Sequence, residues 1–134
     1  ADFSIEAVQN MVSKSNKENI KLNILHADIF NLDKQLVQNF DYVVEYTCFC
    51  AIERSMRMEY IKSMHQILKK DGELIGLFLP LNKKVEEGGP PYSIILDEVI
   101  NQFSNYFDVI ESKQHHLSIK PRKGYEQYIH FKKK

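Results

Sequence analysis

The sequence predicts an α/β domain with a mostly parallel sheet that closes with an antiparallel hairpin at its edge. Three observations support this fold class. Strand-like and helix-like segments alternate along the 134 residues. Residues 73–79 are apolar on both faces, which is typical of a central parallel strand, and Pro80 ends that run. The last two strand-like segments are joined by a polar connection, which indicates a closing hairpin.

The first half of the chain contains one helix and two strands in this prediction. Ser4 can cap a helix over residues 4–16, where apolar side chains recur at helical spacing. Residues 20–26 alternate apolar and polar side chains like a strand. Residues 31–39 are interpreted as a linker or short helix, and residues 42–46 as a buried strand.

The clearest helix is predicted over residues 53–70, because its apolar residues form one stripe. Asp71-Gly72 is interpreted as the turn that follows it. The remaining predicted elements are, in order, a loop at 81–93, a helix capped by Asp97, and strands at 107–112 and 124–131.

Composition excludes several classes of function. The formal net charge is +0, which argues against a nucleic-acid-binding surface. No segment approaches the roughly 18 consecutive apolar residues of a membrane helix, and the acidic start is unlike a signal peptide. Cys48 and Cys50 fit neither a disulfide framework nor a metal site, so we interpret them as reduced thiols of a cytoplasmic protein.

The segment Phe40–Ile52 says most about function. A run of β-branched and aromatic residues ends there in a polar, cysteine-bearing stretch, after which a helix begins. Ligands of open α/β sheets bind at the carboxyl ends of the strands. A site is therefore predicted where this strand ends, with Gly88-Gly89-Pro90-Pro91-Tyr92 as a second distinctive loop downstream.

These segments resemble the thiopurine and thiol/halide methyltransferase family, which uses S-adenosylmethionine. The resembling residues run along the whole chain in the expected order: Asp2-Phe3-Ser4, Ala27-Asp28-Ile29-Phe30, Phe40–Ile52, Met56-Arg57, Asp71–Ile75, Gly88–Tyr92 and Pro121–Gly124. The likeness is greater to the thiol/halide branch. It implies a Rossmann-like class I methyltransferase sheet, of which residues 1–134 form the C-terminal two-thirds of a single domain.

The resemblance also implies which residues bind S-adenosylmethionine. Asp2 matches the acidic residue that holds the ribose hydroxyls, and Asp28 and Ile29 match the adenine contacts. Tyr46 lies beside the expected position of the methionine part of the cofactor. The alternatives are a terminal residue without a role for Asp2, a helix cap or turn for Asp28, and a core tyrosine for Tyr46.

On the acceptor side, the resemblance implies that Arg57, Tyr92 and Arg122 bind the substrate. For both arginines, an ordinary surface position is the alternative. His115 and His116 are set aside as a site, because adjacent strand residues point apart. Glu45 receives no role. No catalytic residue is predicted, because a soft nucleophile that attacks a sulfonium carbon requires only orientation and a dry pocket. No metal ligand is predicted either.

The family's first strand and its glycine-rich loop do not occur in this sequence. Because that strand lies at the centre of the family's sheet, we expect a missing N-terminal segment or self-association to cover the exposed edge. The predicted activity is methyl transfer to a small thiol or related soft anion: thiol, bisulfide, thiocyanate, halide or thiopurine-like. The alternatives are a catalytically inactive interaction module and, more weakly, a nucleotide-binding domain with another cofactor.

Overall fold

The computed structural model describes residues 1–134 and divides into two compact units, Ala1–Lys34 and Gln35–Lys134. No helix in either unit has the length and apolar character that crossing a membrane requires.

The first unit is built around one helix, α1 (Ile5–Lys17), which confirms the predicted helix. Ser4 is its N-cap, and the Ser4 hydroxyl accepts a hydrogen bond of 3.3 Å from the backbone N–H of Ala7. The acidic side chain of Glu6 lies in the first turn, where it suits the positive end of the helix dipole.

The predicted strand over residues 20–26 is reduced to a single parallel bridge between Asp2 and His26. The N–H of Asp2 donates to the carbonyl of Leu25, and the N–H of Ala27 donates to the carbonyl of Asp2, both at 3.0 Å. The prediction of a full strand was wrong. Alternating apolar and polar side chains indicate a strand with one buried face, but in this segment only His26 pairs with another residue, Asp2. Ile20 is accordingly 56% exposed.

The second unit contains a four-stranded sheet. Its strands are β1 (Phe40–Tyr46), β2 (Leu68–Phe78), β3 (Phe107–Lys113) and β4 (Gln127–Lys133), in the spatial order β1-β2-β4-β3. β1 and β2 pair in parallel, and β4 pairs antiparallel with both β2 and β3. β2 is therefore central and the antiparallel hairpin lies at the edge, as predicted.

Two helices accompany this sheet, α2 (Arg57–Ile67) and α3 (Leu96–Phe103). The predicted helix over residues 53–70 was too long at both ends, because a 3-10 turn precedes α2 and Leu68 enters the sheet. The N–H groups of Gln38 and Asn39 bond to carbonyls in the last turn of α2, which ends the helix there. The cap predicted at Asp97 was also wrong, because Asp97 lies in the first turn of α3.

The predicted turn at Asp71-Gly72 is a large bulge inside β2. Between two paired positions, β1 advances from Phe40 to Tyr42 while β2 advances from Leu68 to Glu73. Asp71 has a positive φ of 61°, so the backbone does turn sharply there. β2 nevertheless continues on both sides of the bulge. The sharp turn of the backbone at Asp71-Gly72 was predicted correctly. The prediction that this turn separates a helix from a strand was wrong, because it lies within β2.

The core of this unit lies between one face of the sheet and the two helices. Its largest side chains are aromatic, and they meet in tilted, edge-on and stacked pairs. Phe78 contacts Phe49 at 5.4 Å and Phe131 at 6.0 Å between ring centroids. Phe103 stacks on Phe131 at 4.3 Å. Other fully buried residues are Tyr60, Ile61, Leu68, Leu74, Val99, Phe107 and Ile129.

The opposite face of β1 is open. Tyr42, Val44 and Tyr46 are 59%, 78% and 52% exposed, whereas Glu45 between them is 2% exposed. The predicted buried strand is therefore half-buried, because β1 pairs only with β2 and alternate side chains leave the core.

We expect Gly76→Ala to destabilise the protein by about 1–3 kcal/mol, because overpacking forces shifts in a close-packed core. A Cβ at Gly76 would lie 2.7 Å from the Phe78 ring and 3.0 Å from the Glu45 Cβ. Urea unfolding of Gly76→Ala in the wild-type and Phe78→Leu backgrounds measures this effect. The smaller leucine should reduce the cost, and an equal cost in both backgrounds would contradict the packing explanation.

Candidate functional site

The carboxyl end of β1 carries a strained backbone. Thr47 directly follows Tyr46 and has a φ of 66°, a left-handed conformation that is unfavourable for a β-branched residue. The Thr47 hydroxyl donates a hydrogen bond of 2.7 Å to the carbonyl of Tyr46. Strain of this kind persists where the surrounding structure imposes it, and it concentrates at functional sites. The observation therefore directs attention to Tyr46 and its surroundings.

A cavity of about 340 Å³ lies beside this strand end. One row of its side chains crosses the sheet, because Tyr46 is in register with Leu77 and Leu77 with Tyr128. Neighbouring residues of β1 and β2 and the connection between β3 and β4 supply the remaining walls. The complete lining is Val44, Glu45, Tyr46, Ile75, Gly76, Leu77, His115, Leu117, Ser118, Glu126 and Tyr128. Its volume and mainly apolar walls are typical of a small-molecule site.

Tyr46 and Arg122 are brought together at this cavity, although 76 positions separate them in sequence. The Arg122 guanidinium donates a hydrogen bond to the Tyr46 hydroxyl. Its central carbon also lies 5.1 Å from the centroid of the Tyr46 ring. This double contact holds the Tyr46 ring in one orientation and places a positive charge next to a cavity-lining residue.

Glu126 is the residue of the cavity that sequence reasoning missed entirely. It is 3% exposed, and its Oε2 atom is buried without a hydrogen-bond partner. A buried carboxylate oxygen without a partner is rare, because removing it from water is costly. The position follows Gly124-Tyr125 in a polar connection, and nothing in that local pattern indicates burial.

His115 also lines the cavity. The expectation that the side chains of His115 and His116 point apart was wrong. The two rings stack with centroids 4.5 Å apart and planes at 27°. This happens because both residues lie outside the strands, so alternation does not apply. The Nδ1 atom of His115 accepts a hydrogen bond of 3.2 Å from the N–H of Leu117. His115 also lies 5.7 Å from Tyr128 between ring centroids.

Beneath the cavity, Glu45 joins β1 to the core. Its Oε1 accepts a hydrogen bond of 2.8 Å from the N–H of Phe49, and its Oε2 accepts one from the Tyr60 hydroxyl. Burial raises the pKa of the Glu45 carboxyl, although these two hydrogen bonds oppose the rise. Burial and Glu45 together raise the pKa of Tyr60 well above its ordinary value. The residue that received no predicted role thus has a structural one.

Cys48 and Cys50 are not joined to each other by a disulfide. Cys50 is 6% exposed, and its thiol lies 3.4 Å from the carbonyl of Thr47. Burial, reinforced by Glu45, raises the pKa of the Cys50 thiol. A raised pKa keeps this thiol protonated and poorly nucleophilic.

The predicted acceptor residues Arg57 and Tyr92 lie in a different place from the cavity lining. Arg57 is 2% exposed, donates a hydrogen bond of 3.1 Å to the carbonyl of Ser93, and stacks 4.7 Å from the Phe49 ring centroid. Burial, followed by the nearby charge of Arg54, lowers the pKa of Arg57. It is therefore not the surface arginine that was the alternative.

Tyr92 is fixed by its backbone. Its N–H donates a hydrogen bond of 2.7 Å to the carbonyl of Cys50. Gly89 lies against the Tyr92 ring, so closely that a Cβ there would overlap the ring. The loop containing Tyr92 and Ser93 is thereby held against the segment that follows β1.

The remaining predicted cofactor residues, Asp2, Asp28 and Ile29, lie in the first unit. Asp2 and His26 form the parallel bridge, and Asp28 follows His26 by two positions, so one carboxylate lies at the bridge and the other just after it. One oxygen of Asp2 accepts from the N–H of Ser4 at 2.8 Å, and one oxygen of Asp28 accepts from Phe30 at 2.9 Å. Each carboxylate retains a second oxygen, so both fit a ligand that offers hydroxyl or amino hydrogens.

Comparisons with known proteins agree with the resemblance stated from the sequence. A family model described as thiopurine S-methyltransferase matches residues 3–132. The chain is 33% identical over 135 residues to "Probable thiol methyltransferase 2" of Arabidopsis thaliana, covering 98% of the chain and 58% of that protein. It is 38% identical over 97 residues to "Thiocyanate methyltransferase 1" of Brassica oleracea, covering 70% of the chain and 41% of that protein.

Solved structures confirm the fold class. The PH0226 protein of Pyrococcus horikoshii superposes with a TM-score of 0.79 at 14% identity, over 99% of this chain and 69% of that one. The N-methyltransferase NodS of Bradyrhizobium japonicum, solved with S-adenosylhomocysteine, superposes with a TM-score of 0.72 at 14% identity, over 98% and 64%. The chain thus has a Rossmann-like class I methyltransferase fold, and it spans about half the length of the curated relatives.

Glu45→Gln is expected to remove part of the pH dependence of stability. Because burial raises the pKa of Glu45, the folded state binds this proton more tightly than the unfolded state does. The free energy of unfolding of the wild type should therefore fall, relative to the variant, as pH rises from about 4 through the raised pKa.

Urea unfolding at steps between about pH 4 and pH 8 measures that difference. The exposed Glu111→Gln is the matched control and should show no comparable trend. A constant difference between wild type and Glu45→Gln over this range would show that the pKa of Glu45 is the same in both states.

Proposed function

The chain belongs to the thiopurine S-methyltransferase family, and on this premise we propose that the full-length protein methylates a small thiol or related soft anion from S-adenosylmethionine. The observation that carries the proposal is the strained end of β1, where Arg122 holds Tyr46 at the edge of an apolar cavity. Such a cavity can orient a small acceptor against apolar walls, which is one of the contributions that this chemistry requires.

The cofactor is part of this proposal. Asp2, Asp28 and Ile29 would hold its ribose and adenine, and Tyr46 would lie beside its methionine part. When bound, S-adenosylmethionine supplies an electrophilic methyl group on a sulfonium. The free carboxylate oxygens of Asp2 and Asp28 support this assignment, because a carboxylate readily accepts hydrogen bonds from a diol or an amine.

We assign acceptor contacts to Tyr46 and the cavity, with Arg122 as the residue that positions Tyr46. The contacts of Arg57 are internal, to the carbonyl of Ser93 and the Phe49 ring, so this buried side chain has a poorer claim to the acceptor. Tyr92 is half-buried and held against the segment after β1. In this proposal Arg57 and Tyr92 shape the loop, and a direct contact between them and the acceptor is secondary.

A second candidate, an interaction module without activity, is favoured by the exposed apolar side chains of β1. Val44 is 78% exposed on a strand that has one partner, and such edges associate with other chains or segments. Calorimetric titration of the full-length protein with S-adenosylhomocysteine separates the two candidates. Saturable binding supports the methyltransferase, and absence of binding supports the module.

Tyr46→Phe and Arg122→Met are each expected to lower kcat/KM for methyl transfer by roughly tenfold or more, because each removes a charge-assisted hydrogen bond. If Arg122 acts through Tyr46, the double variant should lose little more than either single variant. The neighbouring exposed Lys123→Met is the control for loss of positive charge and should retain activity. Fully additive losses would show that Arg122 does not act through Tyr46.

A further inference from the structure

Two arginine side chains meet at Ser93, the buried residue that directly follows Tyr92. The Ser93 hydroxyl accepts a hydrogen bond of 3.4 Å from Nη1 of Arg54, and the Ser93 carbonyl accepts one of 3.1 Å from Nη2 of Arg57. Both of these donors are charged, and charge-assisted hydrogen bonds are the stronger kind. The end of the loop over residues 81–93 is therefore fastened at its side chain and at its backbone.

Arg54 is itself held by α3. Its Nη2 atom donates a hydrogen bond of 2.6 Å to Oε2 of Glu98, which lies in the first turn of that helix. Ser93 and Glu98 thus bond to two different nitrogens of one guanidinium group. The planar fork of an arginine permits this arrangement, whereas a lysine offers a single nitrogen. One side chain therefore connects the segment before α2, the end of the loop and α3.

Glu98 keeps Arg54 beside a second positive charge. Burial and then the charge of Arg54 lower the pKa of Arg57, and the Glu98 carboxylate opposes that decrease. Two neighbouring guanidinium groups repel each other, so Arg54 without Glu98 would be driven away from Ser93. The bond between Arg57 and the Ser93 carbonyl does not replace the contact of Arg54, because it involves a different atom of Ser93.

The preceding part of the loop has few attachments of its own. Residues 89–91 are exposed, and Gly88 has a φ of 65° and a ψ of −156°, a conformation essentially restricted to glycine. The Pro91 carbonyl accepts a hydrogen bond of 2.6 Å from Lys83, which belongs to the same loop and would move with it. The position of the loop relative to the rest of the unit therefore depends on its fastened end at Ser93.

We propose that Arg54 is a positioning residue that, held by Glu98, fixes Ser93 and thereby keeps the loop of Tyr92 in the conformation that binds the acceptor. This inference rests on the proposed function, in which that loop is shaped for the acceptor. The side chains of Arg54 and Glu98 are 31% and 44% exposed, so their ion pair contributes little to global stability. Its effect is expected in local opening of the loop.

Amide hydrogen exchange in the full-length protein, followed by NMR, tests this fastening. The reporter is the Tyr92 amide, which donates a hydrogen bond of 2.7 Å to the carbonyl of Cys50. Arg54→Met should accelerate its exchange up to about tenfold and leave the amides of β2 unchanged, because only the loop opens more often. Glu59→Gln, which breaks an exposed ion pair with Lys62 on α2, is the matched control and should change neither rate.

Two further variants test whether Arg54 acts through Ser93. Ser93→Ala removes the hydroxyl, and the double variant with Arg54→Met should exchange at Tyr92 no faster than Arg54→Met alone. Arg54→Lys should resemble Arg54→Met, because one ammonium nitrogen does not reproduce the fork. Unchanged exchange in Arg54→Met, additive effects in the double variant, or wild-type exchange in Arg54→Lys would each overturn the inference.

Steady-state kinetics connect the loop to the acceptor, with thiocyanate or thiophenol as the probe, whichever the wild type methylates faster. Arg54→Met should raise the KM of the acceptor roughly threefold, because only the competent fraction of the loop population binds it. A general structural loss would also lower kcat, which should stay within about twofold, as should the KM of S-adenosylmethionine. Faster exchange with an unchanged acceptor KM would overturn the inference.

Failure of the proposed function has a different signature. A wild type that methylates neither probe contradicts the proposed function and, with it, the role of the loop in binding an acceptor. The exchange measurements need neither cofactor nor acceptor, so they still decide whether Arg54 fixes the loop.

Discussion

The buried carboxylate of Glu45 fixes the position at which β1 ends, and the site depends on that position. Its two oxygens bond to the N–H of Phe49 and the hydroxyl of Tyr60. One side chain therefore connects β1 to the turn that follows it and to α2. With Glu45 held in the core, alternation places Tyr46 on the opposite face, and the chain must turn at Thr47, whose φ is 66°. The left-handed Thr47 lies within the segment that the hydrogen bond between Glu45 and Phe49 closes.

The order of strands and helices could be predicted from the sequence, because each has a local cause. The Ser4 cap, the apolar run of β2 and the closing hairpin all behave as their patterns indicate. Exact ends could not be predicted in the same way. α2 stops at Ile67 because Gln38 and Asn39 bond to its last carbonyls, and these partners lie nearly thirty residues earlier in the chain. No pattern within the helix contains that information.

The site was predicted in part for a similar reason. The likeness to a family pointed to Tyr46 and Arg122, and the structure brings these two residues into contact. Glu126 carries no local signal, since a glutamate in a polar connection is normally exposed. Its burial depends on how that connection packs on the face of β1 and β2 that α2 and α3 leave free. Residues of this kind become visible only when the burial and partners of every polar atom are known.

Glu45 and Glu126 are two acids that this fold buries with different outcomes for their oxygens. Both are nearly inaccessible, at 2% and 3% exposed, and both line the same cavity. This fold satisfies the first with a backbone N–H and a tyrosine hydroxyl, so it is able to bury an acid with partners. Glutamine or leucine at position 126 would fold at a smaller cost. The unpaired Oε2 of Glu126 is thus a cost that its surroundings do not offset.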